Sequence, residues 1–279
     1  MPIRSPFFAA VLALLLAGCS GLLLRPAAPP PLPPGVQVTA GALQSSTGCT
    51  LAYRLFRPRG MPLHDLVVLA HGFLRSQERM RDLAASIAAS GTPVATLDLC
   101  NMHPWDGGHA QNAQDMIALA RALGAGRVVY AGFSAGGLAA VLAGRMDPSA
   151  VGIVTLDLVE TQGLGVRAAT GLDIPLLALA GEPTNCNARG NGRAVLAAAD
   201  QARVAPIAGA GHCDFEAPTD ALCELVCQDP DAGAPERGSD DRLRRRIIAA
   251  ATAAVDALLG GDPLVWPGAE GTTRLATGA

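Results

Sequence analysis

The chain has 279 residues, of which 50% are hydrophobic, seven cysteines and a formal net charge of -3. That length suits one large α/β domain better than two small ones, and the near balance of charge gives no electrostatic basis for binding nucleic acid. Every cation is an arginine, with no placement that groups them for anion binding.

Residues 1–19 carry Arg4, then an apolar run from Phe7 to Ala17 that is short for a membrane span, then LAGC ending at Cys19. This resembles a bacterial lipoprotein signal. The resemblance implies export, a lipidated Cys19 as mature N-terminus, and, because Ser20 is not acidic, an outer-membrane location. An ordinary cleaved secretory signal is the alternative, and it too leads out of the cytosol. Several acyl chains on Cys19 would anchor the protein to a membrane stably, where a single chain is marginal. Residues 20–35 are a proline-dense linker, extended and semi-rigid. Residues 36–260 are the folded domain, and 261–279 a flexible tail rich in Gly, Pro and Thr.

Within the domain, residues 36–43 and 49–56 read as two strands joined by a Ser-, Thr- and Gly-rich turn. Residues 66–70, LVVLA, form the continuous apolar run of a strand buried on both faces. A helix follows over about 77–89, a strand over 94–97, a Gly- and Asn-rich loop over 101–108 and a helix over about 113–123. A strand at 128–130 leads into GFSAG and a further helix. Strands at 151–156 and 175–180, a helix at 193–199 and a strand at 204–207 come next. The last helix, about 240–259, places Leu243, Ile247, Ala250, Ala254 and Leu258 on one face. The alternation predicts an α/β fold with a mostly parallel central sheet, helices on both faces and no large lid domain.

GFSAG, residues 132–136, matches the GxSxG turn in which a serine stands between a strand and a helix with its hydroxyl exposed. Small residues are needed two positions to each side of Ser134 because the turn forces two backbones together. A serine hydroxyl is a poor nucleophile until a base takes its proton. His212, on the glycine loop GAGH at 209–212 after a strand, is placed for that task. The other histidines precede a strand, belong to the HG turn at 71–72, or lie before a helix.

HGF at 71–73, GFSAG at 132–136 and GAGH at 209–212, in this order along an alternating chain, resemble the α/β-hydrolase superfamily over about residues 36–259. Within it the short HGF form is similar to compact lipase, cutinase-like and chlorophyllase-like serine esterases. The resemblance implies an oxyanion hole made from the backbone N–H groups of Phe73 and Ala135. It also implies an acid just after the strand at 175–180, where this chain has GEPTNC with Thr184 at the usual aspartate position. Two carboxylates can take that role. Asp157, at the end of the preceding strand, is favoured over Glu182, which abuts its strand. Asp98 is read as organising a loop.

The reading is a serine hydrolase cleaving a small-molecule or lipid ester, with no cofactor and no metal, since no CxxC pair or histidine cluster has zinc spacing. Other acyl-transfer enzymes, such as a peptidase, thioesterase or acyltransferase, would share the motifs, and a non-catalytic envelope binding protein could share the fold. With Cys19 set aside, six cysteines remain, an even set that predicts three disulfides in an oxidising compartment. Cys186 and Cys213 follow strands that end at the site, and are expected to pair and brace the histidine loop. Cys223 and Cys227, one helical turn apart, are able to pair with each other or with distant partners. Phe73, Leu74, Trp105 and Phe133 are candidates for an apolar wall around an acyl group.

Overall fold

Eight strands form one sheet: β1 (Val36–Gln44), β2 (Thr50–Pro58), β3 (Asp65–Ala70), β4 (Val94–Leu97), β5 (Arg127–Phe133), β6 (Ala150–Leu156), β7 (Leu176–Ala180) and β8 (Ala202–Pro206). Their order across it is β1-β2-β4-β3-β5-β6-β7-β8. β1 and β2 are an antiparallel hairpin, β2 runs antiparallel to β4, and every later neighbour is parallel. The computed structural model describes residues 30–101, 107–227 and 241–261. The segment expected to be a leader, with Cys19, most of the expected linker, Trp105 and the chain from residue 262 lie outside the described residues. From Pro33 onward the described residues form one compact unit.

Local chemistry explains the elements. Gly48 closes the first hairpin with φ +82°, its amide donating to the Ser45 carbonyl at 3.0 Å, a conformation that glycine adopts without penalty. Leu66 to Ala70 are all 0% exposed, as the unbroken apolar run requires of a strand covered on both faces. Alternate residues serve opposite sides. Leu66, Val68 and Ala70 of β3, with Val128 and Tyr130 of β5, join a core cluster shared with α2 (His109–Ala122) and α3 (Ala135–Met146). On the other side α1 (Arg81–Ser90) packs with α7 (Asp241–Gly260). The apolar stripe of α7 buries Leu243, Ile247, Ala250, Ala251, Ala254 and Val255. Its approach to β6 is close: a Cβ on Gly152 would lie 2.5 Å from Leu258 Cδ2. Among the described residues no helix is long and apolar enough to cross a membrane.

The helix expected over 77–89 is a 3-10 turn, Gln77–Met80, followed by α1. Its first residue is tied elsewhere, since the Asp98 carboxylate accepts from the Gln77 backbone amide and from its side-chain amide, both at 2.8 Å. α2 starts at His109, ahead of the expected Ala113. Three short elements have no counterpart in the sequence reading: α4 (Leu164–Ala169), a 3-10 turn at His212–Phe215, and α6 (Ala221–Val226). α5 is Arg193–Ala198.

Candidate active site

β5 ends at Phe133 and α3 begins at Ala135, which leaves Ser134 alone on the turn at φ 55° and ψ −120°. A side chain held at such a φ costs about 1–3 kcal/mol, so the surroundings must enforce it. They do so through backbone contacts. The Ser134 amide donates to Leu156 O at 2.9 Å, hanging the turn from β6. A Cβ on Gly132 would strike the Gly136 carbonyl, and a Cβ on Gly136 would strike the carbonyls of His71 and Ala70. Strand and helix therefore meet at van der Waals distance only because both positions are glycine.

The HGF turn leans on this elbow. A Cβ on Gly72 would lie 2.8 Å from the Phe133 ring and 3.2 Å from Ser134 Cβ. His71, 1% exposed, is a bracket for that turn: its Nδ1 meets Gly72 O at 2.7 Å and its Nε2 accepts the Leu99 amide at 3.1 Å. Those partners require the neutral Nδ1–H tautomer, and burial accordingly holds the His71 pKa below its ordinary value. The amides of Phe73 and Ala135 have no acceptor among the described residues.

His212 comes to Ser134 from the far side. Its Nε2 is 3.0 Å from Ser134 Oγ and its Nδ1 is 2.6 Å from Asp157 Oδ2. All three side chains are buried, at 7% exposed for Ser134 and His212 and 4% for Asp157. The carboxylate accepts the Nδ1–H, which leaves the Nε2 lone pair facing the serine hydroxyl. Phe133, expected in the apolar wall, is itself buried, with its ring centroid 4.6 Å from that of His212. Phe73 and Leu74 reach solvent, at 36% and 69% exposed.

No protein-family model and no curated protein sequence matches this chain. Solved structures do. A ferulic acid esterase from Streptomyces cinnamoneus superposes with a TM-score of 0.61 at 19% identity, over 86% of this chain and 94% of that one. An esterase from Pyrobaculum calidifontis gives 0.58 at 15% identity, over 89% and 90%. Esterase Est22 gives 0.51 at 18% identity, over 76% and 84%. The fold is that of the α/β hydrolases.

Within the α/β-hydrolase fold the two carboxylates considered from sequence have different surroundings. Asp157 follows β6 and accepts from His212, from the Gly181 amide at 3.0 Å and from Asn187 Nδ2 at 3.1 and 3.3 Å. Glu182 is exposed, and its Oε1 accepts the Gly209 amide at 3.2 Å. Thr184 donates its amide to Asn187 Oδ1 at 2.8 Å, and its buried hydroxyl has no partner among the described residues. Nothing in the sequence marks Asn187 as a partner of the acid. The signal available was a polar residue beside a cysteine in a loop that lacked the usual acid, which is too little to single it out.

A second departure concerns the cysteines. Cys186 and Cys213 do not pair; the bonds are Cys186–Cys227, Cys213–Cys223 and Cys49–Cys100. The reason is α6, which brings Cys223 and Cys227 one turn apart with their sulfurs at 4.0 Å, so that each reaches a different loop. The sulfurs of Cys213, Cys223 and Cys227 lie within 4.8 Å of one another, and every one is committed to a disulfide.

The HGF loop and the histidine loop are also joined by charge. Arg75 meets Glu216 in a two-pronged pair at 2.6 and 2.8 Å, and Asp220 at 2.7 Å. Arg79 reaches the other Asp220 oxygen at 2.9 Å. The Glu216 side chain is 0% exposed and Arg75 10%, a geometry in which the fork of a guanidinium matches a carboxylate. Burial works to lower the Arg75 pKa, and the two carboxylates outweigh it and raise it.

Proposed function

We propose that this chain is a serine hydrolase that cleaves carboxylic esters through an acyl-enzyme intermediate. The observation that carries the reading is the continuous hydrogen-bonded line Asp157, His212, Ser134, at 2.6 and 3.0 Å, buried at the carboxyl edge of the sheet. Ser134 Oγ attacks the ester carbonyl carbon as His212 Nε2 takes its proton. Asp157 holds the Nδ1–H and stabilises the imidazolium. The carbonyl oxygen, now negative, receives the amides of Phe73 and Ala135, and loss of one such donor costs about 3 kcal/mol. His212 then protonates the departing alkoxide. A water attacks the acyl group with His212 as base, which frees the acid and restores Ser134.

The similar solved structures named as esterases support the choice of esters. We further propose that the enzyme is exported and tethered to the outer membrane through lipidated Cys19. The leader motif and the presence of three disulfides support that location.

Ser134→Ala is expected to abolish hydrolysis of a short p-nitrophenyl ester and labelling by a fluorophosphonate. Undiminished labelling in that variant overturns the assignment. A panel of oxygen esters, thioesters and amides of matched acyl length is expected to favour the oxygen esters, and a preference for amides would reassign the substrate class.

A further inference from the structure

We infer that Asn187 is the positioning residue for Asp157, acting on the imidazole through that carboxylate; this rests on the serine-hydrolase reading above. The Gly181 amide meets Oδ1 of Asp157 and His212 meets Oδ2, one partner on each oxygen. Asn187 adds the contact that spans both oxygens and stiffens the carboxylate against rotation about its terminal torsion. Its Nδ2 lies 3.3 Å from Asp157 Oδ1 and 3.1 Å from Oδ2, so one amide group addresses both oxygens.

The amide is itself held at every polar atom. Nδ2 also donates to Glu182 O at 2.8 Å, while Oδ1 accepts the amides of Thr184 at 2.8 Å and Gly190 at 3.0 Å. Asn187 is 0% exposed, and its neighbour Cys186 is bonded to Cys227. The loop after β7, which in the usual arrangement supplies the acid, is therefore wrapped around an amide that aims an acid delivered by β6. An amide suits the place because it donates to the carboxylate without a competing charge. A carboxylate at 187 would set a second anion beside Asp157 and increase the negative charge facing His212.

Asn191, in the same loop, supplies a comparison. It fastens the backbone of Glu160 with bonds of 2.9 and 2.8 Å and makes no bond to Asp157. Its role is structural.

The experiment measures kcat, KM and the pH dependence of kcat/KM on a p-nitrophenyl ester, normalised to sites counted with a fluorophosphonate, for N187A, N187D and N191A. Wild-type labelling that persists in S134A removes the underlying reading and is separate from the outcomes below. N187A is expected to lose roughly 10- to 100-fold in kcat with KM little changed. N187D is expected to move the ascending limb of the pH profile upward by roughly one unit, since added negative charge beside the pair favours the imidazolium. N191A is expected to lower the thermal midpoint and to leave the limb in place. In a D157N background N187A should cost nothing further, because Asn187 acts through the carboxylate that is gone. The proposal is overturned if the Asn187 variants behave as N191A does, or if the N187A loss persists in full in D157N. The D157N comparison decides the matter if N187D does not fold.

Discussion

Ser134 and Asp157 stand at φ 55° and 44° at the carboxyl ends of neighbouring strands β5 and β6, both on the side of the backbone map that side chains rarely occupy. Each is pinned by the strand beside it, Ser134 through Leu156 O and Asp157 through Leu179 O at 2.8 Å. The strain thus lifts both groups off the sheet edge toward the one imidazole. Asp157→Asn is expected to lower turnover by about 10⁴-fold, by forcing the wrong tautomer on His212, and Glu182→Gln to change it little. Steady-state kinetics of the two variants check this, and the reverse ranking would hand the acid role to Glu182. Ser134 and His212 were legible in the sequence because their signals are local: glycines flanking a serine, and a glycine loop before a histidine. The acid stayed open between two residues because the choice depends on how residues 181–190 fold, and Asn187 was invisible for the same reason.

Elements long enough to show a period were legible too. The stripe of α7 and the apolar runs of β3 and β4 stand where hydrophobic spacing places them. α4 and α6 have six residues each, less than two turns of pattern, and no helix is read there from the sequence, whereas α5, of equal length, stands where the sequence places a helix at 193–199. Yet α6 decides the disulfides and, through the residue that caps it, the clamp between loops. Asp220 caps α6 by accepting the Cys223 amide at 3.0 Å while it binds Arg75 and Arg79. Burial works to raise its pKa, but the Cys223 amide and the two guanidinium groups prevail and lower it. A carboxyl with a depressed native pKa adds stability above its ordinary value, and that contribution disappears as pH falls through the native value. Wild type is therefore expected to exceed Asp220→Asn in stability near neutrality, with the gap closing on acidification below the ordinary aspartate range. Denaturant titrations across that range test it, and a gap independent of pH would show that Asp220 acts through shape alone.

At the scale of the whole molecule, the alternation of strands and helices made the mostly parallel sheet legible, while the position of β4 between β2 and β3 depends on pairings that no local signal encodes. The even number of cysteines beyond Cys19 likewise predicted three bonds without predicting partners. Those partners have a topological consequence. Cys186–Cys227 closes a covalent ring of chain that contains His212, and Cys213–Cys223 closes a smaller ring inside it. A single nick within residues 187–226 leaves both fragments on one molecule, heavier by one water, with the histidine still tied to the body that carries Ser134. Limited trypsin cleavage after the exposed Arg189 is expected to give one band without reductant and two with it. Such a cut is an injury that the rings hold closed.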